Sequence, residues 1–479
     1  MKRQSLSSPP WAIAAALLLL IGGCTVGPNY HPPDSRTPAV WNEGADNGVA
    51  SRSADLTRWW TSFNDPLLDS LVERAVQSNL DLRLAEARVR EARALRGVTA
   101  AGAWPAFDLS ASYTRSRTSE NAFSQGGQPG GIAGDPQSLY KTGFDASWEI
   151  DLFGGVRRRV EAADAAIEAS VEDRRATLVT LLGDVAKNYI DLRGFERRLA
   201  VAQANLKAQQ DTLHLTKVRF EAGLASDLEV AQAEAQVNTT AAQIPALESL
   251  LKEAGHRLAV LLGREPGALS DELSGQGKIP ALPSEVLIGL PSELLERRPD
   301  IRRAERQLAA ATAEIGAATA DLFPRFFLTG AGGLQSISAG DWFGGGSRFW
   351  SVGPTIRWPL FDAGRIRANI EVRNARQEQT LRQYEKTILT ALEDVENALV
   401  NYYREQARHR LLADAVAANQ RAVEMANELY LNGLNDFLNV LDAQRSLLAA
   451  EDNLAQSEAA MAANLVSLYK ALGGGWKTD

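Results

Sequence analysis

The chain has 479 residues, of which 45% are hydrophobic and 23% charged, a composition typical of a folded protein with a core. Its formal net charge of −8 leaves no basic excess to neutralise phosphates, which argues against a nucleic-acid-binding protein. The length alone suggests about two or three domains.

The first 23 residues have the pattern of a secretion signal peptide. Lys2 and Arg3 provide positive charge, and residues 11–21 form an apolar run of roughly eleven residues. A helix that spans a bilayer needs about 20 residues, so this run is too short to cross a membrane. We therefore predict that residues 1–23 are absent from the mature protein.

The signal peptide ends at Cys24, the only cysteine, so no disulfide can form within one chain. Gly22 and Gly23 before it resemble the lipobox of bacterial lipoproteins. That resemblance implies a covalent lipid on Cys24, a diacylglycerol plus an N-linked acyl chain such as palmitate, and two or more chains anchor far better than one. Thr25 stands where lipoproteins of the inner membrane typically carry Asp, which implies the outer membrane. The alternative is an unmodified thiol.

The rest of the chain contains an internal duplication with a period of roughly 210 to 220 residues, far longer than any solenoid repeat. The matching segments, in order, are Asp81-Leu82-Arg83 with Asp300-Ile301-Arg302, Trp104-Pro105 with Phe323-Pro324, Asp184-Val185 with Asp394-Val395, Gly223-Leu224 with Gly433-Leu434, and Leu262-Gly263 with Leu472-Gly473. One structural unit is therefore used twice, as repeat 1 (66–263) and repeat 2 (291–473).

Each repeat is predicted to begin with a helix and to continue into a β-hairpin. Residues 66–101 are rich in Ala, Leu, Arg and Glu, which are strong helix formers. Apolar and polar residues then alternate through 106–151 and, more weakly, through 325–360, as in strands with one apolar face. Pro354 fits a central strand poorly, so we expect a kink or bulge there.

Helical segments of unusual length follow the hairpins. They cover 156–220 and 365–430, and each would be about 100 Å long. A Gly-Leu turn then leads into a shorter helix, at 227–262 in repeat 1 and at 436–472 in repeat 2. The remaining segments are an N-terminal segment (24–65), a proline-containing linker (264–290) and a C-terminal tail (474–479).

The predicted strands are long enough to cross a membrane in a tilted barrel, but four strands are too few to close one. Open strand edges in lipid would leave backbone groups unpaired, at several kcal/mol each. A barrel would therefore need several copies of the chain, and two, three or four copies would give about eight, twelve or sixteen strands. The alternative is a soluble four-stranded sheet packed on helices.

Four motifs together resemble the outer-membrane factors of the TolC type, in particular their NodT-like lipoprotein branch. They are Gly27-Pro28-Asn29-Tyr30, Arg58-Trp59-Trp60, Trp358-Pro359-Leu360-Phe361-Asp362 and Leu441-Asp442-Ala443-Gln444. The resemblance implies a homotrimer with a 12-stranded membrane barrel, a coiled-coil α-barrel in the periplasm, and a mixed equatorial belt made by 24–65, 264–290 and the tail. It also implies a passive duct of a tripartite multidrug efflux pump, docked onto a periplasmic adaptor and an inner-membrane transporter.

The same resemblance implies two sites. The turns at Gly223, Leu224, Tyr430, Gly433 and Leu434 are expected to contact the adaptor, although a glycine at a helix end is also a structural cap. Asn439, Leu441 and Asp442 correspond to the segment that forms the periplasmic gate. Asn439 and Asp442 lie three residues apart and share a helix face, so a ring of carboxylates would favour cations there. The alternative for Asp442 is a solvated helix carboxylate.

An enzyme and a structural lipoprotein are the two alternative classes of protein. Enzyme function has little support, because the histidines His31, His214, His256 and His409 lack metal-ligand spacing and no nucleophile or phosphate-binding motif occurs. We expect no cofactor, catalytic residue or metal. A structural outer-membrane coiled-coil lipoprotein without channel activity would explain the anchor and the helices, but not the alternating strands.

Overall fold

The computed structural model of the chain describes residues 25–34, 37–42, 49–50, 55–117, 119, 135–275, 277–283 and 286–477. The predicted signal peptide and Cys24 lie outside the described residues. By spatial proximity the described chain forms two compact units. Unit 1 takes its residues from the segments up to Pro33, Arg90–Ala169 and Glu305–Gln383, and unit 2 takes the rest. Each unit therefore combines residues from both repeats.

The described residues of repeat 1 form five helices and two strands. The helices are α1 (Pro66–Ser78), α2 (Leu80–Ala101), α3 (Gly155–Glu221), α4 (Asp227–Ala241) and α5 (Gln243–Leu261). After a two-residue strand β1 (Val49–Ala50), the hairpin strands are β2 (Ala106–Ser116) and β3 (Gln137–Ile150). Helix α3 has 67 residues, so it is about 100 Å long.

Repeat 2 has the same order of elements. Three short elements come first: the linker helix α6 (Ser270–Leu273), the strand β4 (Val286–Leu287) and the one-turn helix α7 (Leu294–Arg297). The main elements follow, namely α8 (Pro299–Ala320), β5 (Arg325–Ser336), β6 (Arg348–Arg357), α9 (Arg365–Leu431) and α10 (Phe437–Ala471). Helix α9 also has 67 residues. The last strand ends at Arg357, three residues before the end expected from the sequence.

The helix expected over 227–262 is interrupted, whereas its counterpart α10 is continuous. Helix α4 ends at Ala241 and α5 begins at Gln243. Pro245 explains the break, because its ring clashes with the carbonyl four residues earlier, that of Ala241, and it has no N–H to donate. The helix expected over 66–101 is likewise interrupted, at Asn79, whose backbone is not helical (φ −59°, ψ 134°).

The four longer strands form one antiparallel sheet in the order β2-β3-β5-β6. Pro354 pairs with Leu328 in a register that runs without a break from Arg325↔Arg357 to Leu334↔Arg348. The bulge expected at Pro354 is therefore wrong. Within one chain, strand β6 lies at an edge of the sheet, where a proline without an N–H is tolerated.

The core of unit 2 is built where the segments outside the repeats meet the helices. Trp59, Trp60 and Phe63 are buried, and the Trp59 ring stacks on Tyr469 of α10 with 5.2 Å between centroids. Strand β1 pairs in parallel with β4 of the linker. The tail joins the same region through the Gly475 N–H, which donates to the Leu56 carbonyl at 2.8 Å.

In unit 1 a buried arginine holds the N-terminal segment. The Arg158 guanidinium donates to the carbonyls of Val26 (3.0 Å) and Gly27 (3.2 Å) and to the Asn29 side chain (2.8 Å). Gly27 has a φ of +88°, and a Cβ there would lie 2.4 Å from the Gly316 Cα on α8. The glycine is needed because the two backbones lie so close together.

Candidate functional site

One face of the sheet is apolar and open to solvent in the single chain. Because side chains alternate across a strand, the register places most of the apolar residues of the four strands on this face. Leu109 pairs with Phe144, and both side chains are exposed. The other large exposed members are Phe107, Tyr113, Leu328, Trp350, Val352 and Ile356. Such a surface is suited to lipid.

The opposite face of the sheet is mainly polar, apart from Phe327 and Phe349. Asp108 pairs directly with Asp145, and the Ser110 hydroxyl donates to the Asp145 carboxylate at 3.1 Å. The Arg325 guanidinium donates to the Glu149 carboxylate at 2.9 Å on the same face. A sheet with one apolar and one polar face can separate lipid from an aqueous channel.

Each long helix (α3 or α9) is followed by a turn and then by a return helix (α4 with α5, or α10). The two turns have the same backbone structure. In the first, the Leu224 N–H donates to the Arg219 carbonyl (2.7 Å) and the Gly223 N–H to the Phe220 carbonyl (2.9 Å). In the second, Leu434 and Gly433 donate to Leu429 and Tyr430 in the same pattern. Gly223 and Gly433 have φ values of +76° and +71°, so both turns are Schellman caps.

Both turns expose apolar side chains. Leu224 and Leu434 are 66% and 74% exposed, and Leu228 and Leu438 in the following helices are also exposed. A Cβ added at Gly223 or Gly433 would meet nothing within 4 Å. Each turn therefore presents leucines on a backbone that its glycine cap holds in place.

Tyr430, predicted as a contact residue, is buried instead. Its ring packs on Phe437 at 5.2 Å, the Arg219 guanidinium lies over it at 4.7 Å, and its hydroxyl donates to Glu229 at 2.9 Å. Burial raises the pKa of Tyr430 most, and the hydrogen bond to the Glu229 carboxylate raises it further. In this chain Tyr430 stabilises the turn rather than forming its surface.

The three predicted gate residues lie at the start of α10 but do not share one environment. Asn439 and Asp442 are exposed, whereas Leu441 is 2% exposed in a small core with Phe437 and Val440. The Asn439 amide donates to the Asn435 side chain one turn earlier. Among the described residues, no hydrogen bond or ion pair reaches the Asp442 carboxylate. Leu441 therefore packs this helix, while Asn439 and Asp442 lie on its exposed polar face.

Sequence reasoning missed a buried arginine in unit 2. Arg298 donates to the carboxylates of Asp300 (2.7 Å) and Asp394 (3.0 Å) and to the carbonyl of Ala471 (3.1 Å). Burial alone would raise the pKa of Asp300, but the Arg298 hydrogen bonds and charge outweigh it and hold this pKa below its usual range. A signal was available, because both aspartates belong to the repeated motifs.

Among the described residues, none of the helices has an apolar stretch long enough to cross a membrane. A family model of outer membrane efflux proteins matches residues 71–264 and 290–474, which lie in both repeats. The chain belongs to the outer membrane efflux protein family. It is thus an outer-membrane protein and a channel component of efflux systems, in a family of channels rather than enzymes.

Proteins similar to this family member include nodulation protein T of Rhizobium leguminosarum bv. trifolii, which is 36% identical over 466 residues and 96% of each chain. The toluene efflux pump outer membrane protein TtgF of Pseudomonas putida is 34% identical over 97% of this chain and 96% of that protein.

Two solved channels have the same fold. The outer-membrane channel OprN is 39% identical with a TM-score of 0.87, over 95% of this chain and all (100%) of that one. The open state of the Neisseria gonorrhoeae MtrE channel is 32% identical with a TM-score of 0.78, over 95% of this chain and 99% of that one. The predicted fold class, a TolC-like channel with long helices and four strands per chain, is confirmed.

Proposed function

We propose that three copies of this chain form the passive exit duct of a tripartite efflux pump, which carries drugs or other small molecules out of the cell. The observation that supports it best is the sheet, which combines an exposed apolar face with two unpaired edges, β2 and β6. In lipid, each unpaired backbone group costs several kcal/mol, so the edges must be covered. Pairing β6 of one copy with β2 of the next would close the barrel.

The contact with a periplasmic adaptor is proposed at the two turns. Leu224 and Leu434 are exposed on rigid caps, where an apolar partner could pack against them. Gly223 and Gly433 would act by shaping the turns, and Tyr430 by supporting the second one. The inner-membrane transporter would deliver its cargo through that adaptor.

The periplasmic gate is proposed at the start of α10. Three copies of Asp442 around a three-fold axis would form a carboxylate ring that favours cations, and Asn439 would add a neutral ring one turn closer to the tip. Leu441 would contribute by packing α10. No counter-charge on the described residues neutralises Asp442, which supports this role.

The anchor is proposed at Cys24, through a diacylglycerol and an N-linked acyl chain. Its support is the neighbouring segment, since Arg158 fixes the backbone of Val26 and Gly27 in unit 1, the unit that also contains the sheet. A lipid attached one residue before Thr25 would then lie on a tethered segment rather than a free one.

Single-channel conductance in planar bilayers tests the duct and its gate together. The purified chain should migrate as a heat-resistant trimer and conduct, and Asp442→Ala should raise conductance and weaken block by divalent cations. Glu424→Ala, which removes another exposed carboxylate near the same turn, is the matched control and should behave as wild type. A trimer without conductance would support the structural lipoprotein instead, and unchanged block in Asp442→Ala would remove Asp442 from the gate.

A further inference from the structure

A groove runs along β5 on the apolar face of the sheet. Gly332 of this strand pairs with Phe144 of β3 on one side and with Trp350 of β6 on the other, and Gly330 lies on the same face two residues earlier. Phe144 and Trp350 are 62% and 80% exposed, whereas both glycines are half-buried. Neighbouring strands lie about 4.8 Å apart, so the two rings border a groove about 10 Å wide, whose floor is bare backbone.

The packing of the chain does not require glycine at the floor of this groove. Neither Gly330 nor Gly332 has a positive φ, and a Cβ added to them would come no closer than 3.6 Å and 3.8 Å to its neighbours. Gly333 on the opposite face differs, because a Cβ there would clash with the Thr142 carbonyl oxygen. Glycine weakens the interior of a strand, and it often marks a place where a ligand approaches the backbone closely. The open groove therefore points to an occupant.

A cation borders one end of the groove. Among the described strand residues, Arg348 of β6 and Arg115 of β2 are the two charged residues on the apolar face. Both lie at the end of the sheet opposite to the one that the helices join, and the helices extend into the periplasm, so the arginines lie at the extracellular end. Arg348 is two residues from Trp350 and is exposed. On the described part of the chain, no ion pair or side-chain hydrogen bond reaches its guanidinium.

Aromatic residues mark the depth at which this arginine lies. On the same face, the Tyr140 ring packs on Tyr113 with 4.9 Å between centroids and on Trp342, in the loop after β5, with 5.4 Å. Tyrosine and tryptophan favour the level of the lipid headgroups. One step of the ladder separates the row of Arg348 from that of Tyr140, so the Arg348 guanidinium can reach this level. A guanidinium binds a phosphate group through two parallel hydrogen bonds.

We propose that the groove holds one acyl chain of a phosphorylated glycolipid of the outer leaflet, and that Arg348 binds a phosphate of the same lipid. The chain would lie over Gly330 and Gly332 between the rings of Phe144 and Trp350, where it buries apolar surface on three sides. The phosphate would supply the charge partner for Arg348. This lipid site requires only the outer-membrane location and the apolar face of the sheet, and it does not depend on the proposed duct.

Native mass spectrometry of the full chain, delipidated in a non-ionic detergent, tests the site. The probe is diphosphorylated lipid A, and dephosphorylated lipid A is the comparison. The wild-type chain should bind up to one probe molecule per copy, and removal of the phosphates should weaken binding at least tenfold. Arg348→Gln, which removes the cation, and Gly332→Val, which fills the floor of the groove, should each weaken binding of the phosphorylated probe at least fivefold.

Each variant has a matched control on the opposite face of the sheet. Lys141→Gln removes a cation near the same end of the sheet, and Gly353→Val adds the same side chain to β6 where a Cβ would meet nothing within 4 Å. Both controls should bind the probe as the wild-type chain does. Valine favours strands, so Gly332→Val should melt no lower than the wild-type chain by circular dichroism. If it fails to fold, Arg348→Gln with unchanged melting decides.

Three results would overturn the lipid site: equal binding of the dephosphorylated probe, equal losses in Arg348→Gln and Lys141→Gln, or unchanged binding in a folded Gly332→Val. The first would mean that no phosphate is recognised, the second that only the overall charge matters, and the third that the groove is not used. Single-channel conductance of the same variants should match the wild-type chain, because the altered groove lies on the apolar face. A wild-type chain that binds the lipid but does not conduct would overturn the proposed duct alone.

Discussion

The end of each return helix packs against the start of the helix that precedes the hairpin: α5 against α2 in repeat 1, and α10 against α8 in repeat 2. The two repeats use different side chains at this junction. In repeat 1 the Asn79 amide donates to the carbonyl of Leu261 at 2.9 Å, and its oxygen accepts from the Leu82 N–H at 2.9 Å. In repeat 2 the equivalent residue is Arg298, which donates to the carbonyl of Ala471 at 3.1 Å, the position equivalent to Leu261.

The shared feature is a buried donor for a carbonyl at a helix end. The last carbonyls of a helix lack partners within the helix, so a buried end needs a donor from elsewhere. The difference lies in the aspartate on the long helix. In repeat 2, Arg298 also binds Asp394. Asp184, which is the equivalent of Asp394 in repeat 1, is instead bound by Lys470 of repeat 2. A short amide in repeat 1 leaves Asp184 available to link the two repeats.

Replacing the repeat 2 donor should have the largest effect. Arg298→Met leaves the partly exposed Asp300 carboxylate without its cation and the Ala471 carbonyl without its donor. Breaking a fully buried ion pair on one side costs about 3–5 kcal/mol, and the exposure of Asp300 places the expected loss at the lower end, about 3 kcal/mol. The apparent melting temperature of the detergent-solubilised protein, followed by circular dichroism, should fall clearly. Arg410→Met removes an exposed arginine of α9 and is the control. Equal melting of the two variants would show that Arg298 does not hold the junction.

Two glycine caps, Gly263 and Gly223, allow the cost of backbone strain to be measured separately from the cost of overpacking. Gly263 and Gly223 both have positive φ, but a Cβ at Gly263 would lie 2.6 Å from the Ser78 carbonyl oxygen, while one at Gly223 would meet nothing. A left-handed non-glycine residue costs about 1–2 kcal/mol, and overpacking adds about 1–3 kcal/mol. Gly263→Ala should therefore lower the melting temperature more than Gly223→Ala. Equal losses would mean that the Gly263 junction relaxes freely.

Much of the fold follows from local patterns. The period of the duplication, the alternation in the strands and the Gly-Leu turns locate the long helices to within a residue of the observed ends. Two features do not follow from these patterns, the break in the first return helix and the unbroken register at Pro354. Pro245 splits a return helix through one clash, and Pro354 is harmless because of the position of β6 in the sheet, which alternation does not reveal.

Among the predicted site residues, the sequence motifs identify those that are exposed but do not distinguish them from buried neighbours. Leu224, Leu434 and Asp442 were assigned from motifs and do lie on the surface, so their proposed roles stay open to test. Tyr430 and Leu441 belong to the same motifs but are buried, because the turn needs its own small core. Motif position alone cannot separate these roles, since the buried Leu441 and the exposed Asp442 are neighbours in one motif.

Replacing the repeat 1 donor should have a smaller effect than the change at Arg298. Asn79→Ala removes one neutral hydrogen bond to a buried carbonyl and the side-chain acceptor for the Leu82 N–H, a loss of about 1–2 kcal/mol. Asn79→Asp keeps the acceptor and removes the donor, so the pair of variants separates the two bonds. Melting measurements under the same conditions give the comparison. A loss as large as that of Arg298→Met would remove the proposed difference between the junctions.

The smallest effects are expected at the helix starts after the two turns. Ser226 and Glu229 form a complete capping box, and Glu229 also accepts from Tyr430, whereas Asp436 contributes a single long bond of 3.4 Å to Leu438. Ser226→Ala should cost about 1 kcal/mol and Asp436→Ala about 0.5 kcal/mol. Hydrogen exchange detects local opening of this size, so amide exchange at the start of α4 should accelerate more in Ser226→Ala than exchange at the start of α10 does in Asp436→Ala. The reverse order would mean that contacts beyond the caps, such as the burial of Phe437, decide how firmly each helix begins.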